Sequence, residues 1–351
     1  MPQSAAANEP YARLRRRIIA EGLLLPQPRY YRSKTAIALV LFAVSLCLPL
    51  FAPNAAVVAA AAVFGGFSFT QVALLSHDTG HRQAYRGRLG NRWARLVFGP
   101  LLLGVSASWW QERHNQHHAT PNDLDSDPDI RIPIVVFAEE QIASQPRYLR
   151  WLTAAQAVVF PLLWPLQSVS MHGNGARYLL SARGGLQKLE LAFFATHFAL
   201  YGAFAFLLAE SVGVPQALLF VAIQQGTFGL FNASVFASNH KGMELVHAGE
   251  GRGFLREQVL TSRNVHGRWY TDFWYGGLNY QIEHHLFPTM PRNNLCRAQS
   301  FVRALCEEEG IPYHATGIIT AYREMFVHLH RASASLRPSH AGTAAAPSQA
   351  E

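Results

Sequence analysis

The sequence lacks the cysteine framework of a small secreted protein. Its 351 residues include three cysteines, Cys47, Cys296 and Cys306, and none of them forms a CxxC pair. Cys47 also falls within an apolar run, where a disulfide partner is absent. This pattern predicts no disulfide framework and fits a reduced, cytosolic environment.

Charged side chains are also scarce. Asp, Glu, Lys and Arg make up 15% of the chain, whereas hydrophobic residues make up 50% and occur in long runs. This composition favours a membrane protein over a soluble one. Residues 5–34 are polar and basic and lack the apolar core and small-residue cleavage site of a signal peptide. We therefore expect the helices of the chain itself to insert it into the membrane.

Four apolar runs have nearly the length of about 20 residues that a spanning helix needs. They are residues 36–51, 55–75, 189–209 and 215–237. A fifth run, 152–169, is interrupted by Pro161 and Pro165, so we expect it to lie in the interface or to be re-entrant. The predicted fold is an all-α integral membrane protein with four transmembrane helices, further interfacial helices and a cytosolic histidine-rich helical cap.

Basic residues indicate the orientation of these helices. Those ahead of the first apolar run are Arg13, Arg15, Arg16, Arg17, Arg29, Arg32 and Lys34. By the positive-inside rule they predict a cytoplasmic N-terminus. We divide the chain into a cytosolic basic segment (1–34), a membrane domain (35–331) and a disordered tail rich in Ala, Ser and Pro (332–351). This topology predicts a multi-pass protein whose histidine motifs all lie on the cytoplasmic face.

Those histidine motifs share the spacing of ligands on one face of a helix. Their members are His77 and His81, then His114, His117 and His118, and finally Gln281, His284 and His285. Seven histidines and a glutamine are too many for one tetrahedral zinc site and suit two metal ions. Imidazole binds iron, copper, nickel and zinc, so ligand type leaves the metal open, but the membrane context favours a non-haem di-iron centre. His240 follows the last apolar run at the same depth and is a further candidate ligand.

The acidic segment after the second motif has competing interpretations. Asp123, Asp125, Asp127 and Asp129 alternate in residues 120–130, but the glycine and closing glutamate of an EF-hand are absent. A solvated loop, or one that braces a histidine motif, is therefore predicted. The pair Trp109 and Trp110 is expected to mark the headgroup level.

The three histidine motifs together resemble the histidine boxes of the integral-membrane fatty acid desaturases. They read His-Asp-Thr-Gly-His at 77–81, His-Asn-Gln-His-His at 114–118 and Gln-Ile-Glu-His-His at 281–285. The resemblance covers about residues 30–320, and Gln281 in place of a first histidine is similar to the front-end branch and bacterial acyl-lipid relatives. Many front-end members carry a fused cytochrome b5 domain, whose His-Pro-Gly-Gly haem motif does not occur in these 351 residues.

The resemblance implies a chemistry. Two iron ions would activate O2 as co-substrate, and two hydrogens would leave neighbouring methylenes of a lipid- or CoA-linked acyl chain. Electrons would come from a separate reduced ferredoxin, or from cytochrome b5 with its reductase. The expected partners are thus the acyl substrate, this donor and the bilayer, with no nucleic acid. Side chains expected to orient the metal-binding imidazoles are Asp78, Asn115, Gln116 and Glu283.

Other functions are compatible with the same motifs. A membrane di-iron hydroxylase or ketolase acting on lipid or carotenoid would use similar boxes. A histidine-lined metal transporter or a zinc-bound membrane receptor belongs to a different class. A transporter needs ionisable residues inside its spans, and residues 189–237 offer Glu190 and Glu210 near the ends and His197 within, for which a neutral, hydrogen-bonded state is expected.

Overall fold

The computed structural model describes residues 3–52, 54–181, 184–247, 250 and 252–338, and most of them are helical. The α-helices are α1 Gln3–Ala20, α2 Pro28–Phe51, α3 Ala55–Gly80, α4 Arg88–Leu96, α5 Ala107–Ala119, α6 Arg150–Ala154, α7 Gln156–Leu163, α8 Gln167–Ser181, α9 Gly185–Val212, α10 Val214–His240, α11 Phe254–Leu260, α12 Trp269–Tyr275, α13 Gln281–Leu286, α14 Leu295–Glu308 and α15 Ile318–Ala332. A π-helix, Val97–Leu103, follows α4, and the strands β1 Asn264–Val265 and β2 Ala315–Thr316 pair in parallel.

Four of these helices, α2, α3, α9 and α10, are long and apolar enough to cross a membrane. This confirms the prediction of four spanning helices in an all-α fold. The apolar windows of α3 and α10 are 56% and 44% buried, against 17% and 22% for α2 and α9. The bundle therefore has an inner pair, α3 and α10, flanked by two outer helices whose apolar side chains face outward.

The interrupted fifth run is bent. The segments Arg147–Ala154 and Gln156–Ser181 meet at an angle of 93°. They form either one more, broken span or a re-entrant loop, and the sequence predicted an interfacial or re-entrant segment. Pro161 lies inside α7, and Pro165 follows in a 3-10 turn.

Small residues let the inner helices pack closely. Gly66 of α3 lies against α10, where an added Cβ would clash with the side chain of Thr227. A larger side chain at this position would force the two helices apart. Both helices end in the histidine-rich region, so their packing against each other brings His77 and His240 to the same end of the bundle.

Local signals in the sequence set the starts of the box-bearing helices. The side chain of Asn54 accepts a hydrogen bond from N–H of Val57 and caps α3, and that of Ser106 accepts from N–H of Trp109 and caps α5. Glu190 of α9 also accepts hydrogen bonds from the Ser106 hydroxyl (2.6 Å) and the Ser108 amide (3.0 Å). The N-terminus of α5 is thus anchored to a long helix.

A helical cap covers one end of the bundle. Its hydrophobic cluster joins α1, α11, α13 and α14, and includes the buried residues Leu14, Ile18, Ile282 and Val302. The basic N-terminal segment therefore packs onto the cap through α1, and α2 begins at Pro28, before the predicted boundary at residue 34. Beyond α15 a 3-10 turn spans Ala334–Leu336, and most of the predicted tail lies outside the described residues. The domain boundaries stay predictions.

Candidate metal centre

The fold brings the three histidine motifs to the same end of the bundle. His77 and His81 lie at the C-terminal end of α3, and His240 is the last residue of α10. The second motif lies on α5 and the third on α13, as the helical spacing predicted.

Two groups of ligand nitrogens result. One consists of His77, His81, His114 and His284, whose ligand atoms all lie within 4.8 Å of one another. Nε2 of His81 and Nε2 of His114 are 2.8 Å apart. Two nitrogens that face a common point lie this close together. All four side chains are buried.

The second group consists of His117, His240 and His285 and meets the same distance criterion. Gln281 adjoins it, because its amide nitrogen lies 2.9 Å from Nε2 of His240 and its oxygen faces the amide of Asn239. Exchange of the amide oxygen and nitrogen, which have the same shape, would direct an oxygen ligand at this group.

His118 lies between the two groups. Its ring centroid is 4.8 Å from that of His284 in the first group and 4.2 Å from that of His285 in the second. All nine side chains predicted as metal ligands are therefore brought together, in two adjoining sets.

Unpaired nitrogens test whether metal ions fit here. Buried ring nitrogens without a hydrogen-bond partner among the described residues include Nε2 of His77, Nδ1 of His118, both nitrogens of His284 and Nε2 of His285. A buried polar atom without a partner is costly, and several in one cluster require a further binding partner. An all-imidazole set with an amide and no thiolate suits a transition metal such as iron.

Hydrogen bonds from outside fix the orientation of the rings. The Nδ1 atoms of His117, His240 and His285 are held by Oδ2 of Asp127 (2.9 Å), the carbonyl of Thr261 (3.0 Å) and Oε1 of Gln258 (2.9 Å), respectively. Each bond leaves Nε2 facing the cluster and selects the tautomer that can bind a metal there. The acidic loop therefore braces the second motif through Asp127, which was one of the two interpretations of that loop.

Asp78 is the predicted orienting residue that does reach a ring. Its Oδ1 lies 3.2 Å from Nδ1 of His77, and its Oδ2 lies 2.8 Å from Nε of Arg292. Both charged groups are buried, so the guanidinium compensates a carboxylate that would otherwise be unpaired. Arg292 follows the third motif and thus connects it to the first.

Among the described residues, the other predicted orienting residues form no hydrogen bond with a histidine of the cluster. Asn115 is exposed and accepts a hydrogen bond from Gln111, and Gln116 donates to the carbonyl of Ser126. Glu283 is buried but accepts hydrogen bonds from Asn264 and Tyr313. Each of these side chains is adjacent in sequence to a box histidine, as Asp78 is, so adjacency alone does not decide whether a side chain reaches a ring.

Burial dominates the electrostatics of the cluster. It lowers the pKa well below the usual histidine value in His81, His114, His118, His284 and His285. These rings are therefore neutral at physiological pH, which is the form that binds a metal.

His117 and Glu283 respond differently to burial. For His117, burial lowers the pKa, but the carboxylate of Asp127 outweighs it and the net pKa is raised. Burial raises the pKa of Glu283 to about 7, against the two hydrogen bonds that favour its charged form. Through its hydrogen bond with Asn264, the buried Glu283 connects α13 to β1.

An apolar cavity reaches the first histidine group. Besides His77 its lining includes Leu74, Leu103, Val105, Met171 and Phe228. Trp110 also lines it and stacks on the ring of His114, with centroids 4.2 Å apart. The prediction that Trp110 marks the headgroup level did not include this contact. Gly80 makes room for the Trp110 ring, because a Cβ at position 80 would fall 2.7 Å from it.

A second, basic cavity of about 470 Å³ has His81 in its wall. Four arginines line it, namely Arg82, Arg88, Arg92 and Arg95. None of them forms an ion pair with a carboxylate of the described residues, whereas Arg113, Arg263 and Arg303 do. This face of the histidine cluster therefore presents positive charge that no ion pair among the described residues neutralises.

Comparison with known proteins agrees with the geometry. The fatty acid desaturase family model matches residues 52–317. The Delta(8)-fatty-acid desaturase of Euglena gracilis is 31% identical over 330 residues, which are 89% of this chain and 77% of that protein. The Delta(6)-fatty-acid desaturase of Caenorhabditis elegans is 30% identical, over 87% and 70%. The acyl-lipid (9-3)-desaturase of Physcomitrium patens is 29% identical, over 95% and 64%. This chain belongs to the fatty acid desaturase family.

Proposed function

We propose that this membrane enzyme is a di-iron desaturase that introduces a double bond into a lipid- or CoA-linked acyl chain, with O2 as co-substrate and electrons from a separate protein. The observation that carries the proposal is the pair of buried histidine groups with unpaired ring nitrogens, which adjoin an apolar cavity. Unactivated C–H bonds demand a strong oxidant, which a redox metal supplies and zinc does not.

The side chains have separable roles in this proposal. His77, His81, His114 and His284 would hold one iron ion, and His117, His240, His285 and Gln281 the other, with His118 placed to serve either. When bound, the metal pair would catalyse the reduction of O2 with electrons from the donor, and it would supply the oxidising power for hydrogen removal. The cavity beside His77 would hold the acyl chain in apolar surroundings and keep water from the reacting carbons.

Expression in a host of known lipid composition tests the reaction. The double bond should appear as an additional unsaturated acyl species in the mass spectrum of the host lipids, and it should be absent with a His114→Ala control. A hydroxylated or keto lipid in its place would instead support a hydroxylase or ketolase.

The bond from Asp127 to His117 gives a prediction for a residue outside the ligand set. We expect Asp127→Asn to lower iron affinity and turnover by about 10–100-fold, because the carboxylate that orients the ring and favours its basicity is lost. Asp129→Asn is the matched control, since its carboxylate is 39% exposed and lies 3.8 Å from the same nitrogen. Equal effects of the two changes on iron content would contradict the role assigned to Asp127.

We also propose that both termini and the metal centre face the cytoplasm, as the positive-inside bias indicates. In a background with Cys47 and Cys296 replaced by serine, Asn54→Cys and Ser211→Cys should react with an impermeant thiol reagent added outside intact cells. Ser300→Cys, on an exposed position of α14, should react only after the cells are opened. Labelling of Ser300→Cys from outside would exclude this topology.

The electron donor is proposed to be a ferredoxin or cytochrome b5, as the resemblance to the desaturases implies. The arginine-lined cavity beside His81 is the proposed docking face, since an acidic donor would be attracted to its unpaired cations.

A further inference from the structure

A third cavity, of about 570 Å³, lies between the first helical hairpin and the segments that follow α10, and no predicted metal ligand lines it. Helices α2 and α3 form one wall of this cavity, and α12 and the start of α14 form the other. The α3 residues in the wall are four positions apart and share one face of that helix, namely Phe67, Gln71 and Leu75. The cavity is therefore separate from the one beside His77.

The polar and apolar parts of this cavity lie at different depths. Phe42 of α2 stacks on Phe69 of α3 with ring centroids 4.8 Å apart, which gives the register of the hairpin. Lys34 precedes Phe42 by eight residues, which places it about 12 Å nearer the histidine-rich end. Gln71 follows Phe69 by two residues, or about 3 Å, and is thus about 9 Å deeper than Lys34. Apolar side chains of both helices line the remaining depth, among them Leu41.

Opposite charges line the polar end without neutralising each other. The Lys34 ammonium and the Asp272 carboxylate both belong to the wall, and neither forms an ion pair within the described ranges. Lys34 lies over the ring of Tyr30, 5.7 Å from its centroid. Oδ1 of Asp272 accepts a hydrogen bond from the amide of Asn279 at 2.8 Å. A ligand with a charge of each sign would complement both groups.

Two further donors line the same cavity. Nε2 of Gln71 is buried and has no hydrogen-bond partner in the described part of the chain. A buried amide without an acceptor is costly, so it indicates a ligand with an acceptor at that depth. Arg292 pairs with Asp78 through Nε at 2.8 Å, and a guanidinium has further N–H donors besides that one.

We infer that this cavity binds one molecule of phosphatidylethanolamine, apart from the site of the reaction. The phosphate would lie between Lys34 and Arg292, the primary ammonium beside Asp272, and an ester carbonyl beside Gln71. Phosphate, ester and acyl chain follow one another in a phospholipid in the same order as the cations, the amide and the apolar wall. Basic pockets between spanning helices are established sites for lipid head groups. The lipid would link the α2–α3 hairpin to the segments that pack on it.

Native mass spectrometry of the purified full chain in detergent tests the inference. The probes are dioleoyl-phosphatidylethanolamine, dioleoyl-phosphatidylglycerol, which lacks the ammonium, and dioleoylglycerol, which lacks the phosphate. The wild-type protein should bind one phosphatidylethanolamine at least about tenfold more tightly than dioleoylglycerol, as expected for charged hydrogen bonds. It should also prefer phosphatidylethanolamine to phosphatidylglycerol.

Variants of the wall separate the contacts. Lys34→Gln should weaken binding of phosphatidylethanolamine at least about tenfold, and Gln71→Leu about threefold, as expected for a charged and a neutral hydrogen bond. Asp272→Asn should remove the preference over phosphatidylglycerol. Arg32→Gln is the matched control, because Arg32 is exposed on α2 outside the cavity and the change removes the same charge. It should leave binding unchanged.

Two results would overturn the inference. One is wild-type protein that binds either of the other lipids as tightly as phosphatidylethanolamine, which does not depend on any variant folding. The other is an Arg32→Gln variant that loses as much affinity as Lys34→Gln, because the lipid would then respond to the charge of the surface rather than to the cavity. The readout is binding without turnover, so neither result bears on the proposed desaturase reaction.

Discussion

Replacement of a single box histidine by alanine should abolish desaturation and lower bound iron while the protein still inserts into the membrane. The residues to change are His77, His81, His114, His117, His118, His284 and His285. We expect activity to fall more than the roughly 10–100-fold that follows loss of an orienting partner, because a ligand itself is removed. Acyl-product analysis measures the activity, and metal analysis of the purified variants measures the iron.

His197 offers a matched control for these variants. It lies inside α9, and its Nδ1 is 3.1 Å from the carbonyl of Leu101, as expected for a hydrogen-bonded histidine in a span. We expect His197→Ala to affect folding yield and to leave the iron per folded chain unchanged. Box variants that keep full iron and turnover would refute the ligand assignment.

Turnover should require an added donor protein, and the donor-dependent rate in detergent should fall steeply with ionic strength. Electrostatic attraction raises association rates by about 10- to 1000-fold and is screened by salt. Joint reversal of Arg88 and Arg92 to glutamate should therefore raise the donor concentration needed for half-maximal rate by at least about tenfold. The bilayer offers a competing explanation of the basic face, since anionic headgroups attract the same residues, and measurement in detergent removes that contribution.

Arg303→Glu provides the control for this charge reversal. Arg303 is exposed on α14 and pairs with Glu307, so its change alters the net charge without touching the cavity beside His81. Docking at the arginine cavity is excluded if Arg303→Glu raises the donor concentration for half-maximal rate as much, per charge reversed, as the double variant does. It is also excluded if salt has no effect on the donor-dependent rate. Turnover with NADPH and no donor protein would remove the need for a separate donor.

Periodicity in the sequence predicted the elements that act locally. Apolar length identified α2, α3, α9 and α10, and the helical spacing placed each box on one face of a helix. The depth of His240 at the end of a span identified it as part of the cluster, because a histidine at that position is unusual without a ligand to bind.

Contacts between distant segments were beyond this reasoning. Gln258 and Thr261 reach the ligand rings from α11 and the residue after it, and Arg292 reaches Asp78 from the 3-10 turn Arg292–Asn294 after the third box. No periodic pattern marks these residues. Of the residues predicted to orient the imidazoles, Asp78 reaches a ring, whereas Asn115, Gln116 and Glu283 form hydrogen bonds elsewhere.

The metal content of the purified full-length protein tests the central claim most directly. Elemental analysis alongside quantitative amino-acid analysis should find two iron ions per chain and little zinc, with Mössbauer spectra of an iron pair in a nitrogen-rich environment. One metal ion per chain, or zinc in place of iron in protein that is active, would contradict a di-iron desaturase.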